Sequence, residues 1–240
     1  MRLSDARWPA VAGADRGVLV LPLGATEQHG PHLPLDTDTF LATAIAERAV
    51  ARRSGAALAP AIPVGASGEH ADFPGTLSIG TAALALLVVE FCRHAQRDWP
   101  AVLIVNGHGG NAAALEQAAR RSREEKRLLG VVHLGLPGMD GHAGRAETSM
   151  MLHLAPSRVQ RRAIEAGETT PVAELMAELR SGGVRAVSPN GVLGDPRGAT
   201  AAEGEGYVRS LEAKVLGAYD ALVAAIPTGA ASAAPPAIDD

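Results

Sequence analysis

The sequence predicts a single α/β domain with a mainly parallel sheet and helices on both faces. Three observations carry this prediction. Short apolar, strand-like runs alternate with helical patterns along most of the chain, which is how βα units read. Two of those runs lead straight into loops crowded with polar donors, as expected at the carboxyl edge of a parallel sheet. The 240 residues, 47% of them apolar, can bury one full core and suit one large domain better than two small ones.

The elements follow in order. Val18 to Leu23 is a short apolar run of the buried-strand type, and residues 39–53 carry a helical pattern. Residues 56–64 read as a second strand and 82–97 as a helix. Ala101 to Val105 is apolar and β-branched, followed by a helix over 112–128. A strand over 130–136 and a helix over 147–154 complete the alternation. A short helix is expected at 172–180 and a long one after Thr200, where Thr200-Ala201-Ala202-Glu203 reads as a capping box. The domain spans residues 1–226; the remainder, 227–240, is rich in Ala, Pro, Gly and Ser and is expected to be disordered. There is no internal repeat.

Composition excludes several classes of function. A net charge of −4 gives no electrostatic footprint for nucleic acid, and 3% aromatic content argues against base stacking. No stretch is long enough to span a bilayer. The first fifteen residues hold no apolar signal core, so nothing suggests export. The single cysteine, Cys92, excludes an intrachain disulfide and fits a reducing cytoplasm. It lies in an apolar helical stretch, where a packed thiol is expected.

The chemistry concentrates in three clusters. Glu27-Gln28-His29-Gly30-Pro31-His32-Leu33-Pro34-Leu35-Asp36-Thr37-Asp38 follows the first strand and supplies oxygen and nitrogen donors at the density that zinc, manganese or iron(II) requires. Glu27 and His29, two apart, project from the same side of an extended segment. Asp38 opens a helical pattern, where a carboxylate is also a helix cap; Asp36 carries the same double reading. The second cluster is Asn106-Gly107-His108-Gly109-Gly110-Asn111, after the Ala101–Val105 run. A phosphate cradle is the competing reading, but the loop has neither the Lys-Ser/Thr of a P-loop nor Gly-x-Gly-x-x-Gly spacing. His108 is therefore read as a metal donor. The third is His142-Ala143-Gly144-Arg145-Ala146-Glu147. His142 and Glu147 can converge only if His142 lies in the loop before the helix. Glu147 has a plainer role open to it, as a first-turn carboxylate favoured by the helix dipole. A serine hydrolase is disfavoured because Gly65-Ala66-Ser67-Gly68 misses the Gly-x-Ser-x-Gly elbow.

The residues from Gly24 to Pro34, the Asn106–Asn111 loop and Glu147-Thr148-Ser149 resemble the creatininase (creatinine amidohydrolase) family. The likeness extends through Gly75-Thr76-Leu77-Ser78-Ile79-Gly80-Thr81 and Gly191-Val192-Leu193-Gly194-Asp195-Pro196, and so covers the chain to about Ile226. Gly65-Ala66-Ser67-Gly68-Glu69-His70 and the segment 181–188 are similar to the family's peptidase branch in the mycofactocin system.

The resemblance implies a three-layer α/β/α domain, a hydrolase holding one or two divalent cations (Zn, Fe(II) or Mn) per subunit, and assembly as a homo-oligomer. It assigns Glu27, His29, the bridging carboxylate Asp38 and His108 as metal ligands, and His142 as the catalytic histidine. One departure stands out. Creatininase carries a glutamate ligand two residues after the loop histidine, and this chain has Gly110 there. Glu147 is the expected replacement on chemical grounds. Arg145 is a candidate for binding a substrate carboxylate, with a solvated arginine as the plainer reading. For the mycofactocin branch the implied substrate is a modified precursor peptide, from which a C-terminal Val-Tyr-derived unit is released. Hydrolysis of a small cyclic amide or formamide is the alternative.

Overall fold

The computed structural model describes residues 1–227. The expected tail over 227–240 lies, beyond Pro227, outside the described residues. The elements run α1 (Trp8–Ala12), β1 (Val18–Leu23), α2 (Thr37–Val50), β2 (Ala57–Leu58), α3 (Gly80–Ala95), β3 (Ala101–Asn106), α4 (Ala112–Glu124), β4 (Leu128–His133), α5 (Arg145–Leu154), α6 (Val172–Val187) and α7 (Ala201–Ala225). Four strands form one sheet in the order β2-β1-β3-β4, and every pairing is parallel.

Alternation along the central strands separates two cores. Val18 and Val20 of β1, with Leu103 and Val105 of β3, face a core shared with α2, α5 and α7. Leu19, Leu21 and Leu23, with Val102 and Ile104, face α3 and α4. The result is the expected α/β/α sandwich. Leu21, Leu23, Leu103 and Ile104 are fully buried, each contributing roughly 1.5–3 kcal/mol by leaving water.

The strand expected over 56–64 is reduced to Ala57 and Leu58. Pro60 and Pro63 have no N–H to give to a ladder, so the chain continues beside β1 through separate bonds such as Ile62 N–H to Pro22 O at 3.0 Å. The last strand pairs two residues earlier than expected, with Leu128 opposite Ala101 and His133 opposite Asn106. This shift ends α4 at Glu124 rather than at 128, the turn closing through Lys126 at a φ of 56°. Helix α6 runs past residue 180 to Val187, with Gly183 breaking it at a φ of 70°. Only half of the capping box forms. Thr200 Oγ1 accepts the Glu203 N–H at 3.2 Å, but the Thr200 N–H goes to Ser149 Oγ instead of the Glu203 side chain.

The strand order has a consequence for function. From β1 the chain crosses to β2 on one side and afterwards to β3 on the other, so loops leaving β1 and β3 diverge at their carboxyl ends. That divergence opens the crevice where ligands bind in open parallel sheets. Helix α2 starts directly over it. A Cβ on Gly107 would lie 2.4 Å from the Asp38 carbonyl oxygen, so the β3 loop needs glycine there to let the helix approach.

Candidate metal centre

The loop after β1 brings Glu27 and His29 into this crevice, both fully buried. Asp36 takes the N-cap position of α2 without a capping bond and pairs with Arg158 instead. Asp38 therefore sits inside the first helical turn, with its carboxylate turned inward. His29 Nε2 is 3.0 Å from Asp38 Oδ1. From the β3 loop, His108 Nδ1 lies 3.1 Å from Glu27 Oε1 and 3.4 Å from Asp38 Oδ2. The two post-strand loops thus meet.

The third cluster joins them as the spacing required. Helix α5 begins at Arg145, which leaves His142 in the preceding loop. Asp140 caps that helix, accepting the N–H groups of Arg145 and Ala146. Glu147 is consequently released from a purely capping role. Its Oε2 accepts the Ala143 N–H at 2.7 Å and stands 4.0 Å from His29 Nε2. His142 Nε2 donates to the Gln28 carbonyl oxygen at 2.6 Å, so Nδ1, 3.5 Å from Glu27 Oε1, faces the site.

One sequence expectation changes, and two further histidines find their places. Arg145 does not line the site: its Nε and Nη2 donate to Glu203 Oε1 at 2.9 and 2.7 Å, which turns the guanidinium toward α7. His32, in the donor-rich first loop, stays outside the cluster and meets Thr148 Oγ1 at 2.8 Å through Nε2. His70, known to the sequence reading only through the resemblance of its segment, is a member: its Nε2 lies 3.2 Å from Glu27 Oε1. Gln28 ties the parts together, its amide nitrogen reaching His70 Nδ1 at 2.9 Å and the Gly191 carbonyl at 3.1 Å. The available signal was Glu69-His70 following a strand-like segment, as the other two loops do.

The donors fit a divalent cation. Both carboxylate oxygens of Glu27 and Oδ2 of Asp38 are buried and accept no hydrogen bond, although imidazoles approach them closely. Unsatisfied buried carboxylate oxygens are costly unless an ion or an equivalent partner meets them. Among the described residues, the sets Glu27/Asp38/His108, His29/Asp38/Glu147 and Glu27/His29/His142 each present ligand atoms within 4.8 Å of one another. Asp38 belongs to the first two.

The electrostatics agree. Burial works against the Glu27 anion, but the charges of His108, His142 and His70 outweigh it and hold the carboxyl well below the usual range. Burial also opposes charge on His29 and His108, yet Asp38 beside the first and Glu27 beside the second raise them to about 10 and about 9. Glu147 is pushed up to about 7, chiefly by burial. For His142, burial and then the charges on His29 and His70 act the other way, holding it well below its ordinary value. Positive charge is what these carboxylates recruit, and a bound cation supplies it without the imidazole protons.

Around the cluster lies a cavity of about 960 Å³. Met176, Leu179 and Arg180 of α6 form one wall. Helix α6 is fastened to the Glu69–His70 turn by Arg185, whose guanidinium lies 5.0 Å from the centre of the Phe73 ring and donates to the Asp72 carbonyl at 2.6 Å.

Fold and donor set together define a metal-dependent α/β hydrolase. The chain belongs to the creatininase family, whose model, described as creatinine amidohydrolase, matches residues 4–218. It is 52% identical over 193 residues to the mycofactocin precursor peptide peptidase of Mycolicibacterium smegmatis, covering 78% of each chain. Among solved structures, creatinine amidohydrolase (creatininase) aligns at 26% identity with a TM-score of 0.75, over 94% of this chain and 98% of the other. A structure described as the manganese form of creatininase aligns with a TM-score of 0.73 at 26% identity, over 94% of this chain and 98% of the other. No helix among the described residues is long and apolar enough to cross a membrane.

Proposed function

We propose that this protein is a divalent-metal-dependent peptidase that cleaves the modified mycofactocin precursor peptide, releasing its C-terminal Val-Tyr-derived unit. The observation that carries the reading is the 52% identity, across 78% of each chain, to a peptidase named for that substrate. The cavity supports it. At about 960 Å³ it stands at the upper end of the range of about 300–1,000 Å³ for ligand pockets, room enough for a peptide segment.

In this reading Glu27, Asp38 and His108 would hold one cation and His29, Asp38 and Glu147 a second, with zinc, iron(II) or manganese as the candidates. Cations held there supply Lewis acidity, polarising an amide carbonyl and making water a competent nucleophile near neutral pH. The chain's own groups do the rest. The Gln28 carbonyl keeps the proton of His142 on Nε2, so Nδ1 is free to take a proton within the site and pass it to the departing nitrogen. Gln28 holds this arrangement through His70 and Gly191. Helix α6 lines one wall of the cavity around the cluster.

The same reading places the protein in the cytoplasm as a homo-oligomer. Leu77, Ile79, Leu86 and Leu87, in α3 and the segment leading to it, leave apolar surface for a second copy to cover. Light scattering on the purified protein tests the assembly.

The deciding experiment incubates the modified precursor peptide with zinc-, manganese- or iron(II)-loaded protein and follows cleavage by mass spectrometry, with a chelator control. We expect release of the C-terminal unit that stops on chelation, and negligible turnover of creatinine. An intact peptide alongside rapid creatinine hydrolysis would move the assignment to a small cyclic amide, the reading that the likeness to creatininase structures favours.

A further inference from the structure

We infer that Glu69 is the carboxylate that positions His108 for its role at the metal centre, occupying the space that a side chain at residue 110 would need. The inference rests on the metal-centre reading proposed above and concerns a residue outside the three donor sets.

His108 turns its Nδ1 toward Glu27 and Asp38. The opposite nitrogen, Nε2, faces three oxygens at the back of the ring. These are the Ala66 carbonyl at 3.1 Å, Ser67 Oγ at 3.4 Å and Glu69 Oε1 at 3.4 Å. An imidazole that gives the lone pair of one nitrogen to a cation carries its proton on the other, and the acceptors around that proton fix the tautomer and the ring orientation. The Ala66 carbonyl alone would suffice for the tautomer. An anionic carboxylate adds charge behind the ring and makes Nδ1 a stronger donor.

Residue 110 explains how the carboxylate reaches this place. A Cβ built on Gly110 would lie 2.2 Å from Glu69 Oε1, 2.3 Å from His108 Nε2 and 2.5 Å from the Ala66 carbonyl oxygen. No side chain at 110 is compatible with the other three groups where they stand. The glycine is thus the counterpart of Glu69, since a carboxylate arriving from the 3-10 turn at Gly68–His70 fills the volume. The same turn delivers His70 to Glu27, and Arg185 of α6 holds the adjoining Asp72 and Phe73. On the other side of Glu69, the Ser67 N–H donates to Ser78 Oγ at 3.0 Å, so Glu69 sits within a short segment anchored before and after it. It acts through His108 and is a positioning residue.

The test compares wild type, Glu69→Gln, Glu69→Ala and Gly110→Ala. Each is titrated with zinc against a chromophoric chelator, and with cobalt(II) to read the ligand field in the visible spectrum, while circular dichroism monitors the fold. We expect Glu69→Ala to weaken the tighter site by about 10- to 100-fold, the range for lost partners of metal-bound histidines. Glu69→Gln, which keeps an oxygen at the same reach but no charge, should lose less, and Gly110→Ala should match the alanine variant by pushing the ring aside. A shifted cobalt spectrum should accompany each loss. Unchanged affinity and spectrum in Glu69→Gln and in folded Glu69→Ala, with wild type binding zinc, overturn the role of Glu69 alone. A wild type that binds neither ion overturns the metal-centre reading and this inference with it.

Discussion

Asp38 Oδ1 lies 3.0 Å from His29 Nε2, while the other oxygen of the same carboxylate lies 3.4 Å from His108 Nδ1. One side chain in the first turn of α2 therefore joins donors from the β1 loop to donors from the β3 loop. Asp38→Asn should remove the shared anion and reduce metal content to well below one ion per chain, with the fold retained. Elemental analysis of the purified variant checks this. Retention of two ions per chain would contradict a bridging role for Asp38.

Glu147 joins His29 and Asp38 in only one of the donor sets. Glu147→Gln should lower occupancy at that position and leave the Glu27/Asp38/His108 position filled. Metal analysis after dialysis should read close to one ion where wild type holds two. Equal content in both proteins would return Glu147 to capping Ala143.

His142 presents Nδ1 to the site and is held from behind by the Gln28 carbonyl. His142→Ala should slow the chemical step by roughly 10²- to 10⁴-fold, the usual contribution of a general acid–base group, with metal content little changed. Single-turnover kinetics on the precursor peptide separate this from a binding defect. A fall in substrate affinity at constant chemical rate would contradict it.

Far from the site, Glu125 at the end of α4 receives Arg93 of α3, Arg121 and Arg127. The bonds from Arg93, with those from Arg127, hold its carboxyl down to about 2 from an ordinary 4.5. A carboxyl lowered on folding stabilises the protein above its unfolded-state value, and that stabilisation is lost as pH falls toward the folded value. Glu125→Gln should thus cost on the order of 1 kcal/mol at pH 7, a modest figure because the arginines are partly solvated. The difference from wild type should shrink between about pH 4.5 and pH 2. Urea midpoints of both proteins across this range measure it, and a pH-independent difference would refute the assignment.

The class of fold and much of the centre were legible in local order. The apolar runs of β1 and β3 and the donors after each are sequence facts, and parallel pairing turns them into a shared edge. The spacing condition on His142 and Glu147 is met, because a helix starting at Arg145 leaves the histidine in the loop. The direction of the Arg145 side chain was not legible. Its partner Glu203 is 58 residues away, and no local pattern reveals an ion pair across that distance.

The βα alternation, the chemical nature of the donors and their position after the strands are written in local order, since these depend on periodicity and residue type. The order β2-β1-β3-β4, the truncation of β2, the entry of His70 and the fit of Glu69 against Gly110 emerge on folding. They depend on which segments pack side by side. Pairing register, steric exclusion at a missing Cβ and the competition of buried charges for one another arise between residues far apart in the chain, and take definite values only when the core has closed.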